Sequence, residues 1–356
     1  MKKFLPKVGL ICNKEVYDNY IEQNDLEKLK QICKFQWKEF NEISSWEESP
    51  HSSEEIINIL KNFTENLNAV IVCHGSPKIS KEIIESSKNL TFIGELEGDR
   101  FSRRINSEYA IEKKINVIDT SHGSSYPVSE WALGLILIGL RSGGYHFRKI
   151  IDKKHWDPNN EKEDLIFQNE ELTGKKIGLI GFGYIAKKLC EYLEPFKTKI
   201  SVYDPYISKN ILKKLNYSQV ELNDIFLNND VIVCLAPLTQ KTKNMINKKH
   251  FDLLRDGAVF INVSRGKIVN SKDLINALKS KKITACLDVF EPEPIPVNSE
   301  IRNLHNVFLS PHIAGTTKRS RTRFFEEMVN ELYRHFSGEK TLHNITLSTI
   351  KNRRGY

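Results

Sequence analysis

Short apolar runs rich in β-branched residues alternate with polar stretches of helical spacing along most of the chain, and this alternation leaves few folds open. In the first 120 residues Val8–Cys12, Ala69–Cys73, Thr91–Ile93 and Asn116–Ile118 read as strands, with helical stretches such as Ser52–Phe63 and Ile79–Ser87 between them. A second series places strands at Lys176–Ile180, Lys199–Tyr203, Val231–Leu235, Val259–Val263, Thr284–Asp288 and Val307–Leu309, with a helix over Ile185–Leu193. Strands that alternate with helices build parallel sheets covered on both faces, so the expected class is α/β with doubly wound sheets. A chain of 356 residues is long for one domain, and two are expected. One helix is expected from about Pro127 to Arg148, with proline near its start and Glu130 in its first turn. An amphipathic helix covers about Thr317–Phe336, and residues 152–170 and the basic tail read as irregular.

The net charge of +8 suggests nucleic acid at first sight. Lysines alternate with glutamates, however, and no long basic block appears, so no nucleic-acid partner is expected. The six cysteines are widely spaced, with no metal-binding or redox pairing pattern. Several stand in apolar runs and read as reduced, buried residues of a cytoplasmic protein. No metal is expected. The most apolar run, Trp131–Leu140, is too short to span a bilayer, so no membrane partner is expected either.

The strand Lys176–Ile180 leads into Gly181, Phe182 and Gly183, and a helix then opens at Tyr184, Ile185 and Ala186. Gly181 permits the sharp turn, and Gly183 lets the backbone approach a pyrophosphate on the helix N-terminus. Ala186 is small enough for close helix–strand packing. Asp204 ends the next strand, where an acid would grip ribose hydroxyls and disfavour a 2′-phosphate, which points to NAD. The plainer reading is a glycine-rich turn with a chance aspartate.

Downstream, an arginine, a carboxylate and an imidazole each follow a short buried run: Arg265 before Gly266, Glu293 before Pro294, and His312 after Pro311. A guanidinium fork suits a carboxylate, and an imidazole exchanges protons near neutral pH. Hydride chemistry on a 2-keto or 2-hydroxy acid needs these groups beside a nicotinamide site.

With these residues in place, the chain resembles the D-isomer-specific 2-hydroxyacid dehydrogenases. The matching landmarks are Val128, Ser129 and Glu130 opening a helix, Trp156, Leu172 to Gly174, Gly181 to Ala186, Ala236 to Thr239 with Thr242, Asn262 to Gly266, Leu287 to Phe290, Glu293 with Pro294, and Pro311 to Gly315. They cover residues 126–315 densely, and the first 125 residues match mainly in plan. The resemblance implies a flavodoxin-like substrate-binding lobe from residues 1–125 and 318–356. It implies a Rossmann NAD lobe from 126–317, with a cleft between the two. It also implies roles. Arg265 would bind the substrate carboxylate. His312 would exchange the proton at the carbonyl oxygen, and Glu293 would orient His312 and favour its protonated form. The family spacing of five residues after Asp288 selects Glu293 over Glu291. Gly181, Gly183, Tyr184, Ile185, Asp204, Ala236, Pro237, Thr242, Val263, Asp288 and His312 would line the cofactor, with Asp288 near the nicotinamide carboxamide. Gly75, Ser76 and Gly98 would join Arg265 on the substrate. Each residue also has a bland reading as a cap, a turn former or a solvated loop side chain; His74 and His122, beside glycines, read as loop residues.

The chain departs from the family pattern at Gly94 to Arg104, where Glu95 and Glu97 stand among Arg100, Arg103 and Arg104. The arginines either start a charged helix facing solvent or bind a second anion on the substrate. The expected activity is NAD(H)-dependent transfer between nicotinamide and C2 of a 2-keto/D-2-hydroxy acid. An NAD(H)-sensing corepressor-like protein on the same scaffold is the alternative. Phosphoglycerate, glycerate/hydroxypyruvate, lactate and phosphite stay open as substrates, while Glu293 argues against formate. Too few residues follow position 340 for a regulatory domain, and family habit suggests a homodimer.

Overall fold

The computed structural model describes residues 5–44, 48–97, 100–152 and 170–353. The chain forms two compact units, one from Met1–Ser124 with Thr317–Tyr356 and the other from Ser125–Thr316. Trp156, Gly98, Asp99 and nearly all of the expected loop over 152–170 lie outside the described residues.

In the first unit five parallel strands, β1 (Lys7–Cys12), β2 (Lys34–Glu39), β3 (Ala69–Val72), β4 (Phe92–Glu95) and β5 (Asn116–Asp119), stand in the order β2-β1-β3-β4-β5. All four residues of β3 and of β4 are buried, as expected for strands covered on both faces. Strand β2 has no such run. It is an edge strand of sequence KFQWKE, mostly exposed, in which only Phe35 and Trp37 alternate onto the core face. The chain reverses its direction of travel across the sheet between β1 and β3. The carboxyl ends of these two strands are therefore the ligand-binding edge of such a sheet.

The helix Lys318–Ser337 belongs to this unit. Phe324, Phe325, Met328 and Leu332 are fully or almost fully buried in one cluster with Val8, Leu10 and Ile71. The segment after it was expected to be irregular, but it forms a second helix, Leu347–Arg353. The Ile345 amide donates to the Val117 carbonyl at 2.7 Å, and Ile345 and Ile350 are buried, which anchors this basic stretch on the first unit.

In the second unit seven parallel strands stand in the order β12-β11-β10-β9-β6-β7-β8. They are β6 (Lys176–Ile180), β7 (Lys199–Tyr203), β8 (Ser218–Gln219), β9 (Val231–Cys234), β10 (Val259–Asn262), β11 (Thr284–Leu287) and β12 (Val307–Leu309). The reversal lies between β6 and β9. The fold is thus α/β with two doubly wound parallel sheets, as the alternation implied. The long helix expected over 127–148 is two helices, Ser125–Leu140 and Gly143–Ile151. Ser142 takes a left-handed φ of 48°, which ends the first. A Cβ on Gly144 would stand 3.0 Å from the Val307 carbonyl, so glycine lets the second lie close on β12.

All six cysteines are buried and free. Burial pushes the thiols of Cys33 and Cys286 up to about 12, which keeps them protonated. Among the described residues no helix is long and apolar enough to cross a membrane.

Candidate active site

In the second unit, β6 ends in a turn that only glycine fits. Gly181 has φ +93°, and a Cβ there would meet the Ala236 backbone nitrogen at 2.9 Å. Gly183 begins the helix Tyr184–Leu193, and a Cβ on it would touch nothing within 4 Å. The helix N-terminus is thus open beside the turn, the arrangement that receives a pyrophosphate. Tyr184 is exposed and Ile185 half-buried, with the Ile185 carbonyl accepting from Ser129 Oγ at 3.0 Å. Asp204 closes the turn: its carboxylate accepts the Phe182 and Tyr206 amides, each at 2.8 Å. Across the reversal, the segment after β9 is tied to itself. Thr242 Oγ1 donates to the Pro237 carbonyl at 2.6 Å and accepts the Thr239 amide at 2.7 Å. These residues fit a dinucleotide: a glycine-only turn, an unobstructed helix start and an acid at the end of β7.

Arg265 follows β10 in a turn built by Asn262. The Asn262 side chain accepts the Ser264 amide at 3.0 Å and donates to the Arg265 carbonyl at 3.1 Å. Ser264 Oγ donates to the Ala236 carbonyl, which joins this turn to the one after β9. Val263 is buried between them in sequence, and Arg265 is half-buried with Nη1 donating to the Ser264 carbonyl at 2.7 Å. A Cβ on Gly266 would lie 1.7 Å from the Phe290 carbonyl oxygen. The turn carrying Arg265 therefore sits directly on the backbone that leads to Glu293.

His312 stands on a loop held by Asp288. Asp288 is fully buried and accepts Ser310 Oγ at 2.6 Å, the Ile313 amide at 3.0 Å and the Ala314 amide at 2.9 Å. The His312 amide donates to the Asp288 carbonyl at 2.9 Å, and Trp131 Nε1 donates to Ser310 Oγ at 3.1 Å. His312 itself takes φ 52°, a left-handed backbone uncommon outside glycine. Its Nδ1 lies 2.5 Å from Glu293 Oε1, and the two side chains are 42% and 35% exposed, open enough to be reached. Glu291 makes no such contact; its carbonyl accepts from Ser271. Burial alone would raise the Glu293 carboxyl, but the His312 hydrogen bond and charge, the Phe290 amide and the Arg265 charge hold it below the usual range.

The first unit is described by itself. Gly75 has φ +88°, and a Cβ there would meet the Phe40 carbonyl at 2.3 Å. Ser76 is buried, with its amide on the Cys73 carbonyl at 3.1 Å and its hydroxyl on the Pro77 carbonyl at 2.9 Å. The expected substrate contact from Ser76 thus has its polar groups turned into its own loop. Gly98 lies outside the described residues. Neither reading of the nearby arginines fits Arg104. It is fully buried on an equally buried Glu95, at 2.5 Å, rather than starting a solvated helix or facing an anion.

Three features escaped the sequence reading. Asp288, expected near the nicotinamide, also holds the His312 loop with both of its oxygens. Ser264 couples two turns across neighbouring strands. His74, read as a loop residue, is the centre of a charged network. The Asn262-x-Ser264 spacing at a strand end is a signal for the second; nothing local signals the others.

Residues 133–314 match the model of the D-isomer specific 2-hydroxyacid dehydrogenase, NAD binding domain. YoaD of Bacillus subtilis, which carries the provisional name 2-hydroxyacid dehydrogenase, is 31% identical over 308 residues, 85% of this chain and 86% of that protein. The hydroxypyruvate reductase of Blautia hydrogenotrophica is 30% identical over 76% of this chain and 83% of its own. A D-3-phosphoglycerate dehydrogenase of Archaeoglobus fulgidus is 29% identical over 70% of this chain, which spans 46% of that longer protein. Among solved structures, the PH0520 protein of Pyrococcus horikoshii aligns with a TM-score of 0.75 and 25% identity, covering 98% of each chain.

Gly266→Ala places a methyl inside the Phe290 carbonyl contact. It is expected to lower stability by about 1–3 kcal/mol, the cost of overpacking, and to shift the Arg265 turn. Thermal unfolding reads this, and an unchanged Tm would mean that the two backbones are not in contact.

Proposed function

The chain belongs to the D-isomer-specific 2-hydroxyacid dehydrogenases and is an NAD-dependent enzyme of that family, and from this premise we propose how its own residues act on a 2-keto/D-2-hydroxy acid. The observation that carries the reading is the 2.5 Å contact between His312 Nδ1 and Glu293 Oε1, with the Arg265 charge close enough to act on Glu293. NAD, when bound on the Gly181–Ile185 turn, supplies or takes the hydride. Arg265 binds the substrate carboxylate through its guanidinium fork. His312 presents Nε2 to the oxygen on C2; it gives a proton there during reduction and takes one back during oxidation. Glu293 holds the other ring nitrogen, so the ring keeps one orientation through both directions. Ala236, Pro237, Thr242 and Val263 line the cofactor side, and Gly75 belongs to the substrate-binding lobe.

Because the Glu293 carboxyl is held low, it is ionised at neutral pH. Its hold on His312 is complete above the ordinary carboxylate value and is lost as pH falls through the depressed one. Catalysis that depends on it should fail only on the acid side of the ordinary carboxylate range.

His312→Gln is expected to lower kcat by roughly 10²–10⁴-fold in both directions, and Arg265→Ala to raise the keto-acid KM by roughly 10–100-fold with NADH affinity unchanged. NADH oxidation with glyoxylate, pyruvate and hydroxypyruvate measures both; normal turnover in either variant removes that residue from the mechanism.

Asp204→Ala is expected to weaken NADH relative to NADPH, since the acid no longer opposes a 2′-phosphate. An unchanged ratio would mean that its carboxylate serves only the Phe182 and Tyr206 amides.

We extend the proposal to a homodimer. Phe147, Ile150 and Ile151, on the helix Gly143–Ile151, are 62–64% exposed and supply an apolar face for a second copy. Sedimentation velocity should give twice the chain mass, and a monomer at micromolar concentration overturns this.

A further inference from the structure

Among the described residues, two groups of three bring one metal-ligating atom from each member within 4.8 Å of the others. One is Cys73, His74 and Glu97, and the other is His122, Glu327 and His343. All six residues belong to the first unit. Charge and protonation separate the two groups. In the first, Nδ1 of His74 faces two guanidiniums, Arg104 Nη2 at 2.9 Å and Arg100 Nη1 at 3.2 Å. Nε2 lies 3.1 Å from Glu97 Oε2, to which the Tyr20 hydroxyl also donates. Burial pushes the Cys73 thiol well above its ordinary value, so it keeps its proton. Two cations and a protonated thiol make this a hydrogen-bonded network and not a cation site.

In the second group the balance is reversed. The charges acting on His343 are Glu331, Glu327 and Asp119 against Arg334. Arg334 is itself paired with Glu331 at 2.5 Å, and Arg323 donates to the Gly123 carbonyl at 3.0 Å. Three carboxylates thus stand against two guanidiniums. The rings of His122 and His343 lie face to face, with centroids 3.6 Å apart and planes 26° apart. Two charged imidazoliums would repel each other in such a stack, so at least one ring keeps a lone pair for a ligand bond.

Each of the three side chains stands on backbone that is fixed by other contacts. His122 lies in the turn Ser121–Ser124 after β5, where the Ser121 amide donates to Asp119 Oδ1 and the Gly123 amide to the Thr120 carbonyl, each at 2.9 Å. A Cβ on Gly123 would meet Phe324 Cδ1 at 2.7 Å, so this turn lies against the helix Lys318–Ser337, which carries Glu327. His343 runs beside β5. Its carbonyl accepts the Asp119 amide at 3.1 Å, and its amide donates to Glu331 Oε2 at 3.3 Å. Three segments far apart in the sequence therefore turn two imidazoles and a carboxylate, all half-buried, toward one point. A zinc ion holds such ligands at about 2.0–2.2 Å, so side-chain turns on the order of 1 Å would close the group around it.

We propose that His122, Glu327 and His343 bind a divalent transition-metal ion of the zinc class, which ties the segment after the helix to the turn after β5. Two imidazoles and one carboxylate are a zinc donor set that leaves a fourth position for water. None of the three residues takes part in the reaction above, so the site stands apart from that reading. The role of the ion is structural. It binds only where all three segments are in place, and it therefore stabilises the folded first unit.

The test uses the full chain, freed of metal with a chelator, and zinc sulfate as the probe. Titration calorimetry should give a Kd of about 10 μM or tighter, and zinc should raise the thermal unfolding temperature. Cobalt(II) in place of zinc should give the visible bands of a four-coordinate site without a thiolate charge-transfer band. Glu327→Gln and His343→Ala should each weaken zinc by about tenfold or more, with thermal unfolding in the absence of zinc serving as the control for folding. Glu327→Gln is nearly isosteric and carries the test if His343→Ala does not fold. Cys73→Ala should leave the zinc affinity unchanged. No zinc bound at about 100 μM, or an affinity unmoved by the substitutions at Glu327 and His343, overturns the proposal. Loss of zinc in Cys73→Ala also overturns it, because the ion would then belong to the other group.

Discussion

The candidate active site depends on one buried carboxylate. Asp288 has no solvent contact and gathers a hydroxyl and two backbone amides from the segment Ser310–Ala314. The Ser310 hydroxyl and the Ala314 amide belong to buried residues, and leaving such a group without a partner costs about 1–3 kcal/mol. That is enough to hold His312 in a left-handed backbone that a free loop would leave. With the backbone fixed there, the imidazole meets Glu293 rather than swinging in solvent. The contact of Gly266 with the Phe290 carbonyl sets the other side of the same arrangement, because it brings the Arg265 turn onto the strand exit that carries Glu293.

The two units treat charge in opposite ways. In the second, Glu293 and His312 are half-exposed and lean on each other. In the first, Arg104 and Glu95 are wholly buried against each other at 2.5 Å. A buried pair of this kind adds little net stability, since desolvation offsets most of its attraction, but losing either partner leaves an uncompensated charge. Such a pair fixes geometry, and here it fixes the ring nitrogen that His74 offers to its neighbours.

How much of this was legible in the chain follows from where each signal is stored. The strands buried on both faces announce themselves as apolar runs, and Gly181, Gly183 and Asp204 are marked by a spacing that backbone geometry imposes. Strand β2 offers only Phe35 and Trp37, an alternation too short to stand out among its charged neighbours. The break at Ser142 stands beside two glycines, the second of which packs on β12, a tertiary contact with no other local mark. The order of Arg265, Glu293 and His312 was readable, and so was the choice of Glu293 over Glu291. The duty of Asp288 was not, because its partners lie 22 to 26 residues away and are mostly backbone amides. Arg104 fits neither reading of the arginine run for a similar reason: its partner Glu95 stands nine residues earlier, at the end of β4.

The first unit is closed by residues that come last in the chain, and this orders the events of synthesis. Phe324, Phe325 and Met328 fill a core whose other walls, Val8, Leu10 and Ile71, leave the ribosome long before them. About 190 residues of the second unit separate the two. At roughly 5–20 residues per second these early residues wait on the order of 10–60 s before that helix is made. The second unit is continuous in the chain and can finish within that interval. The first unit therefore completes its core only once the helix Lys318–Ser337 has been made.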